Sequence, residues 1–292
     1  MSGVTNSELT SLALGLGLSV AIATTLAWRW QLALLRSAAI AFFCGCAAGA
    51  ASFAAGPFLR AGKPAQTLWV AGASLAAWAA ILLIEFYRDP EREPPGVPGA
   101  ILSPADGQVI YIRRARESFL PVSDKHGRQY TLHELTRTSL QQQEATVVGI
   151  AMSFSDVHVN RSPIDGRVTL YRHFSGRFGS LRNHTNVFEN ERATTVIQNG
   201  NLEIAVVQIA SRLVRQIAGF VARGELVQAG QRIGVIRLGS QVDLVMPVRP
   251  DLLLVAKEGD RVTAGVSMIA VCEGASARRQ MQTTVAERAA DG

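Results

Sequence analysis

SPADGQV at Ser103–Val109 and SPIDGRV at Ser162–Val168 are two copies of one turn, and their recurrence decides how the second half of this chain is read. Proline fixes φ ahead of a bend, and Asp-Gly supplies a side-chain cap followed by a residue that tolerates the angles of a tight turn. A looser echo relates Val227–Ile233 (VQAGQRI) to Lys257–Val262 (KEGDRV). Around these turns lie short β-branched or alternating runs: QVIYI, ATVVGIAMSF, RVTLYRHF, LEIAVVQIA, RIGVIRL, VDLVMPV, DLLLVA and SMIAVCE. Runs of this kind, cut by Gly, Pro and Asp, predict strands joined by turns. One short helix is expected near Ser211–Phe220.

The beginning of the chain has a different character. Of 292 residues, the first 86 are rich in Ala, Leu and Gly, with three long stretches low in charge: Leu9–Trp28, Ser37–Leu59 and Thr67–Ile84. Each is near the roughly 20 residues that cross a bilayer as a helix. Residues 1–86 are therefore expected to be a membrane region of about three transmembrane helices. No basic segment precedes the first run, so a cleaved signal peptide does not fit. Arg29 and Arg36 lie in the first loop, Arg60 and Lys63 in the second, and Arg88, Arg92, Arg113, Arg114 and Arg116 beyond the third span. The positive-inside tendency puts the remainder of the chain in the cytoplasm, on the inner face of the cell (inner) membrane.

The proline-rich segment Arg88–Gly99 cannot continue a helix and ends the membrane region. A cytoplasmic domain is expected over residues 87–274, and a loose tail without a sustained apolar face over 275–292. The net charge of +6 and the pI near 9.7 fit an anionic membrane surface better than nucleic acid, given three apolar spans. No nucleic-acid partner is expected. The three cysteines, Cys44, Cys46 and Cys272, offer neither a disulfide framework nor zinc spacing, and no histidine pair has ligand spacing beside a carboxylate, so no metal is expected.

The P-x-D-G-x-V opening answered by G-D-x-V resembles the barrel-sandwich hybrid domains of lipoyl and biotinyl carriers, a likeness of architecture alone. The fold expected is mainly β (α+β), a barrel-sandwich hybrid-like domain following an N-terminal α-helical membrane region. A carrier would need a lysine at a hairpin tip, and Lys257 lacks the usual flanks. A membrane-anchored adaptor built on a hybrid domain would need a long helical hairpin, which the sequence does not offer.

Chemistry enters at Arg232–Pro247, RIGVIRLGSQVDLVMP, where Gly239-Ser240 sits between two apolar runs. A glycine without Cβ lets a following hydroxyl approach its own backbone. With FYRDPER (Phe86–Arg92), SPADG, DVHVNRSP (Asp156–Pro163) and Asn190-Glu191-Arg192, taken in this order, the chain resembles the short, pyruvoyl-dependent phosphatidylserine decarboxylases over about residues 86–272. The three-span leader departs from many short members.

The resemblance implies that Ser240 attacks the carbonyl of Gly239, that the chain divides into a β-chain (1–239) and an α-chain (240–292) that remain together, and that residue 240 becomes a covalent pyruvoyl cofactor. It also implies decarboxylation of phosphatidylserine to phosphatidylethanolamine through a Schiff base, the ketone acting as electron sink. A serine hydroxyl needs help from a base. His158 is the candidate for proton transfer, and Asp106 for the carboxylate that orients it. Asp106 has an alternative reading as a turn cap, as its echo Asp165 suggests. Longer family members have a second histidine and a threonine where this chain has Arg161 and Gln241, so their full relay does not transfer. Arg161, Arg177 and Arg192 are candidates for binding the lipid phosphate or carboxylate, with the polar stretch from Arg177 to Glu191 as a headgroup loop. Asp89-Pro90 is read as the turn by which the chain leaves the bilayer. The same chemistry would serve a serine headgroup on another lipid backbone.

Overall fold

The computed structural model describes residues 6–30, 32–54, 63–123, 127–142, 144–181, 185–211, 216–236 and 240–273, which form two compact units. The first contains helices α1 (Asn6–Trp30), α2 (Leu34–Ala54) and α3 (Lys63–Tyr87). All three are long and apolar enough to cross a membrane, over Leu9–Arg29, Leu34–Ala51 and Pro64–Tyr87. The end of the expected second span, up to Leu59, lies outside the described residues. Small residues let the helices approach closely. Ala23, Ala27, Ala41 and Ser74 are buried, and the Ser74 hydroxyl donates to the Ala41 carbonyl at 2.8 Å. Arg36 and Glu85 form an ion pair. Residues 153–155 belong to the same unit, with the Phe154 ring 5.1 Å from that of Phe86.

The second unit is strand-rich. In chain order its described elements are β1 (Ala100–Leu102), β2 (Gly107–Ala115), β3 (Phe119–Ser123), β4 (Gln129–Thr131), α4 (Leu132–Thr136), β5 (Ala145–Met152), β6 (Val159–Arg161), β7 (Gly166–Phe174), α5 (Asn186–Glu189), β8 (Arg192–Asn199), β9 (Leu202–Ala210), β10 (Ile217–Gly219), β11 (Leu226–Val227), β12 (Arg232–Ile236), β13 (Ser240–Pro247), β14 (Leu252–Leu254), β15 (Arg261–Val262) and β16 (Met268–Cys272). An antiparallel sheet in the order β11-β7-β8-β9-β13-β5-β2-β15 curls into a half-barrel. Successive side chains of a strand point to opposite faces, and here both faces are covered. Ile150, Ile204, Val206, Val242, Leu244 and Met246 share a core with Ile101, Ile233, Ile236 and Ile269 of the three-stranded sheets β1-β16-β14 and β10-β12-β6. Val147, Val207, Ile209 and Val245 pack instead with Leu132 and Leu135 of α4 and with Val187 and Phe188 of α5. The mainly β architecture after a helical region is as the sequence predicts.

The repeated turns are a structural pseudo-symmetry. Ser103 and Ser162 each donate their hydroxyl to the carbonyl two residues on, both at 2.7 Å. The Asp106 carboxylate accepts from the Ala264 amide, and the Asp165 carboxylate from the Ala229 amide, each at 2.8 Å. Gly265 N–H donates to the Ser103 carbonyl and Gly230 N–H to that of Ser162, both at 2.8 Å. These two glycines have φ of +71° and +79°, angles that L side chains avoid. Hence the second echo has a different register from the one expected. Gly224–Gly230 (GELVQAG) corresponds to Gly259–Gly265 (GDRVTAG), with β11 on β7 matching β15 on β2. Loose similarity had matched Gly230 with Gly259, because a spacing of turn glycines does not reveal which strand each one serves.

The helix expected near Ser211–Phe220 is corrected by the structure over the residues it describes there. Ile217–Gly219 form β10, antiparallel to β12 with Ile217 opposite Ile236. The apolar spacing of Ile217 and Val221 suits a helix face, but both are buried in the core shared by the sheets, and pairing overrides a short local preference.

Candidate active site

Ser240 is the first residue of β13, and its backbone lies between two strands, opposite Met152 at the end of β5 and opposite Ala210 at the end of β9. Gly239 lies outside the described residues. Immediately upstream, β12 ends at Ile236 in a different sheet. There the Ile236 amide donates to the carbonyl of His158 at 3.1 Å, and Val235 pairs with Val159. The backbone of DVHVNRSP therefore adjoins the strand that runs toward Gly239-Ser240. The His158 side chain is buried, 1% exposed. Asn160, two residues on, accepts at Oδ1 from Gln208 Nε2 at 2.8 Å and donates to the Pro104 carbonyl at 3.3 Å. A buried polar layer thus joins β6, β9 and the SPADG turn.

Asp106 is a turn cap, as its alternative reading expects. As a cap it holds Ala264, while its two oxygens accept a bidentate pair from Arg92 at 2.6 and 2.8 Å. Oδ2 also accepts a long bond, 3.4 Å, from the Val157 amide beside His158. Arg92, of the FYRDPER segment, was missed as a partner. The sequence signal for it is its place in FYRDPER, one of the motifs that carry the family resemblance. Asp89 of that segment is likewise more than an exit turn, since it accepts from Arg161 at 3.1 Å and from Arg232 at 2.5 Å.

The three candidate arginines part company. Arg161 is buried, donating to the carbonyls of Gly230 and Pro90 as well as to Asp89; burial and the nearby Arg232 lower its pKa. Arg192 is 1% exposed and donates to the carbonyls of Glu134, Leu135, Val187 and Asn190 at 2.7–3.2 Å. Burial and Arg137 push its guanidinium down to about 10. Both arginines are thereby committed to protein acceptors. Arg177 is different: its side chain is 82% exposed and pairs with Glu189 at 3.3 Å. Its backbone forms a bridge to Asn190, and Asn190 Nδ2 donates to the carbonyls of Gly179 and Ala210, both at 2.8 Å. Because Ala210 is opposite Ser240, Asn190 ties the loop that starts at Arg177 to the strand end beside Ser240.

On the other face of β13, Gln241 and Asp243 point away from the apolar layer of Val242 and Leu244. Asp243 is fully buried, and its carboxylate accepts from Tyr111 Oη and from Gln241 Nε2, both at 2.7 Å. Gln241 Nε2 also donates to Tyr111 Oη at 2.7 Å. Burial raises the Asp243 pKa to about 6 against the pull of these donors and of Arg113 and Arg192. Among the described residues, no cluster of three or more His, Cys, Asp or Glu could hold a metal ion.

The relatives of this chain are decarboxylases. A family model described as phosphatidylserine decarboxylase matches residues 79–270. The chain is 34% identical over 212 residues to a phosphatidylserine decarboxylase proenzyme of Pelobacter propionicus, covering 72% of this chain and 86% of the relative. It is 32% identical over 208 residues to one of Geobacter sulfurreducens, covering 71% and 84%. To a putative archaetidylserine decarboxylase proenzyme of Methanocaldococcus jannaschii it is 39% identical over 191 residues, covering 65% and 90%. The chain belongs to the phosphatidylserine decarboxylase family, enzymes made as proenzymes, and its three apolar helices associate it with a membrane.

Proposed function

We propose that this decarboxylase makes its own cofactor at Ser240 and uses it on the serine headgroup of phosphatidylserine, releasing CO₂ and phosphatidylethanolamine. The observation that carries the reading is the position of Ser240 at the start of a strand held on both sides, four residues after Ile236, whose amide donates to the His158 carbonyl. Ser240 Oγ adds to the Gly239 carbonyl carbon; its proton passes to the amide nitrogen, which leaves as a free amine and yields an ester. Removal of the Cα proton of residue 240 then breaks the Cβ–O bond. Gly239 departs as the carboxylate of the 1–239 chain, and the dehydroalanine left behind takes up water and loses ammonia. The residues present fit the resulting pyruvoyl group, because the strand that would carry it keeps its ladder partners from Gln241 onward, beginning with Ala151 and Ile209. The pyruvoyl ketone supplies the electrophile for the headgroup amine and the sink for the electron pair released with CO₂.

Within this proposal His158 moves the protons. Asp106, fixed by Arg92, steadies the Val157–His158 segment. Arg177, the exposed arginine, meets the lipid phosphate or carboxylate, while Arg161 and Arg192 keep the walls of the site in place. The 1–239 and 240–292 chains remain a heterodimer. Downstream β13 lies between upstream β5 and β9, β15 pairs with β2, and β16 pairs with β1. Val242, Leu244, Val245 and Met246 are fully buried, each side chain contributing about 1.5–3 kcal/mol. The catalytic unit is cytoplasmic on the inner membrane, as the basic loops imply.

A denaturing gel and the mass of the smaller fragment test the reading. The expected fragment begins at residue 240 and is lighter by one ammonia than one that begins with serine; an intact serine terminus would overturn it. The archaeal relative favours a second reading, the same reaction on archaetidylserine. Rates of CO₂ release from the two lipids decide between them.

A further inference from the structure

Cutting the chain before residue 240 poses a mechanical problem. The new terminus begins a strand in the middle of a sheet, with no upstream tether. A slip of β13 by one residue is blocked, because it would turn every buried side chain to the opposite face. A slip by two residues is not blocked by the apolar pattern. Val242, Leu244 and Met246 would exchange places with similar neighbours, while residue 240 moved by about 7 Å. Such a shift would take the reacting carbon away from any group arranged around it.

The other face of β13 carries what forbids this. Tyr111, Gly149 and Asp243 lie directly opposite one another across β2, β5 and β13. A Cβ at Gly149 would collide with the Tyr111 ring, so the missing side chain is what lets the phenol pass over β5 to reach Asp243 and Gln241. The three groups close a ring of hydrogen bonds, each 2.7 Å, and are 8%, 3% and 0% exposed for Tyr111, Gln241 and Asp243. A two-residue slip would break the two bonds that join β13 to Tyr111, leaving the buried carboxylate with one donor, Gln241, which travels with it on the same strand. Buried polar groups that fix one register at a cost in stability are an attested device.

We propose that Tyr111, Gln241 and Asp243 form a register clamp that holds residue 240 in place once the chain has been cut, which makes them positioning residues for decarboxylation. The clamp rests on the cleavage reading above. A wild-type chain that stays whole on the gel would sink that reading before any clamp variant is made.

The test compares Tyr111→Phe in the full chain with Tyr111→Phe in the uncut Ser240→Ala chain. In the cut enzyme, assayed on mixed micelles of phosphatidylserine, kcat should fall roughly tenfold with KM within about twofold. Amide exchange over residues 241–246 should rise about tenfold in the cut enzyme and far less in the Ser240→Ala chain, where the tether persists. A hydrogen bond that merely stabilises the fold would raise exchange equally in both. Equal rises, an unchanged kcat, or a folded Tyr111→Phe chain that fails to cut each overturn the clamp. If Tyr111→Phe does not fold, Gln241→Met carries the same comparison. Should neither fold even with Ser240→Ala, the network serves the whole fold rather than the cut strand, and the proposal falls.

Discussion

Asp243 carries a stability cost whose size and sign can be worked from its surroundings. It is fully buried, receives hydrogen bonds from Tyr111 and Gln241, and feels Arg113 and Arg192; burial still outweighs these groups and raises its pKa from 3.8 to about 6. A carboxyl whose pKa is higher in the folded than in the unfolded chain holds its proton more tightly when folded. Its ionisation therefore weakens the fold as pH rises through about 6, and stability returns as pH falls toward 3.8. Two units of pKa amount to about 3 kcal/mol of cost for the ionised group. Between pH 7 and pH 5, about 1 kcal/mol should be regained. Other groups titrate over this range, so the measurement is the difference between the Ser240→Ala chain and the same chain with Asp243→Asn. Both are unfolded by denaturant in detergent at a series of pH values. The asparagine form should lack the gain on acidification and be the more stable at neutral pH, since its amide is buried without charge. Parallel pH curves for the two chains would show that the carboxylate is not strained by burial, and the reasoning would fail.

Other residues give outcomes of different kinds. Arg192→Met removes the donors to four carbonyls, three of them in buried bonds, and should cost more than about 3 kcal/mol, read as the loss of folded protein in the same denaturant assay. Arg177→Ala alters only an exposed side chain; unfolding should be unchanged, while KM for phosphatidylserine rises roughly tenfold as one charge-assisted contact is lost. His158→Gln keeps size and polarity but cannot titrate, so CO₂ release should drop by roughly a hundredfold or more. A wild-type rate in that variant would remove His158 from the chemistry.

What the sequence made legible follows from which forces leave a local trace. The eight apolar runs became strands because alternation and β-branching are written residue by residue. The SPADG and SPIDG turns proved to be twins because proline, aspartate and glycine act on their own backbone. Strand β8, RATTVIQN, escaped notice although it lies inside the large sheet. Thr194 and Thr195 are fully buried there, and the Thr194 hydroxyl is satisfied by the Thr136 carbonyl 58 positions earlier in the chain. A buried threonine looks like an exposed one until its partner is known. The arginines fail to declare themselves for the same reason. Arg161, Arg177 and Arg192 carry equal charge on paper, yet only depth separates a cation that faces solvent from two that brace carbonyls. Tyr111 could not have been singled out, since its role depends on an empty position at Gly149 one strand away.

The location of the expected cut also bears on why a β-rich fold tolerates it. Residues 237–239 connect β12, in a three-stranded sheet, to β13, in the eight-stranded one. On either side of this connection the chain is held by pairings made with other segments: β12 with β6 and β10, β13 with β5 and β9. Among the described residues, β12 and β13 are not paired with each other, so severing the connection leaves those other pairings in place. A break within β5 or β9 would instead expose unpaired backbone groups in the sheet interior. In a sheet the partners of a strand come from elsewhere in the chain, so a strand can lose its covalent predecessor and keep its place. A helix cut at a comparable depth would lose the intrahelical bonds of its first turn on the new side. What the ladder alone does not secure is a two-residue slip, and that is the freedom Tyr111, Gln241 and Asp243 are arranged to remove.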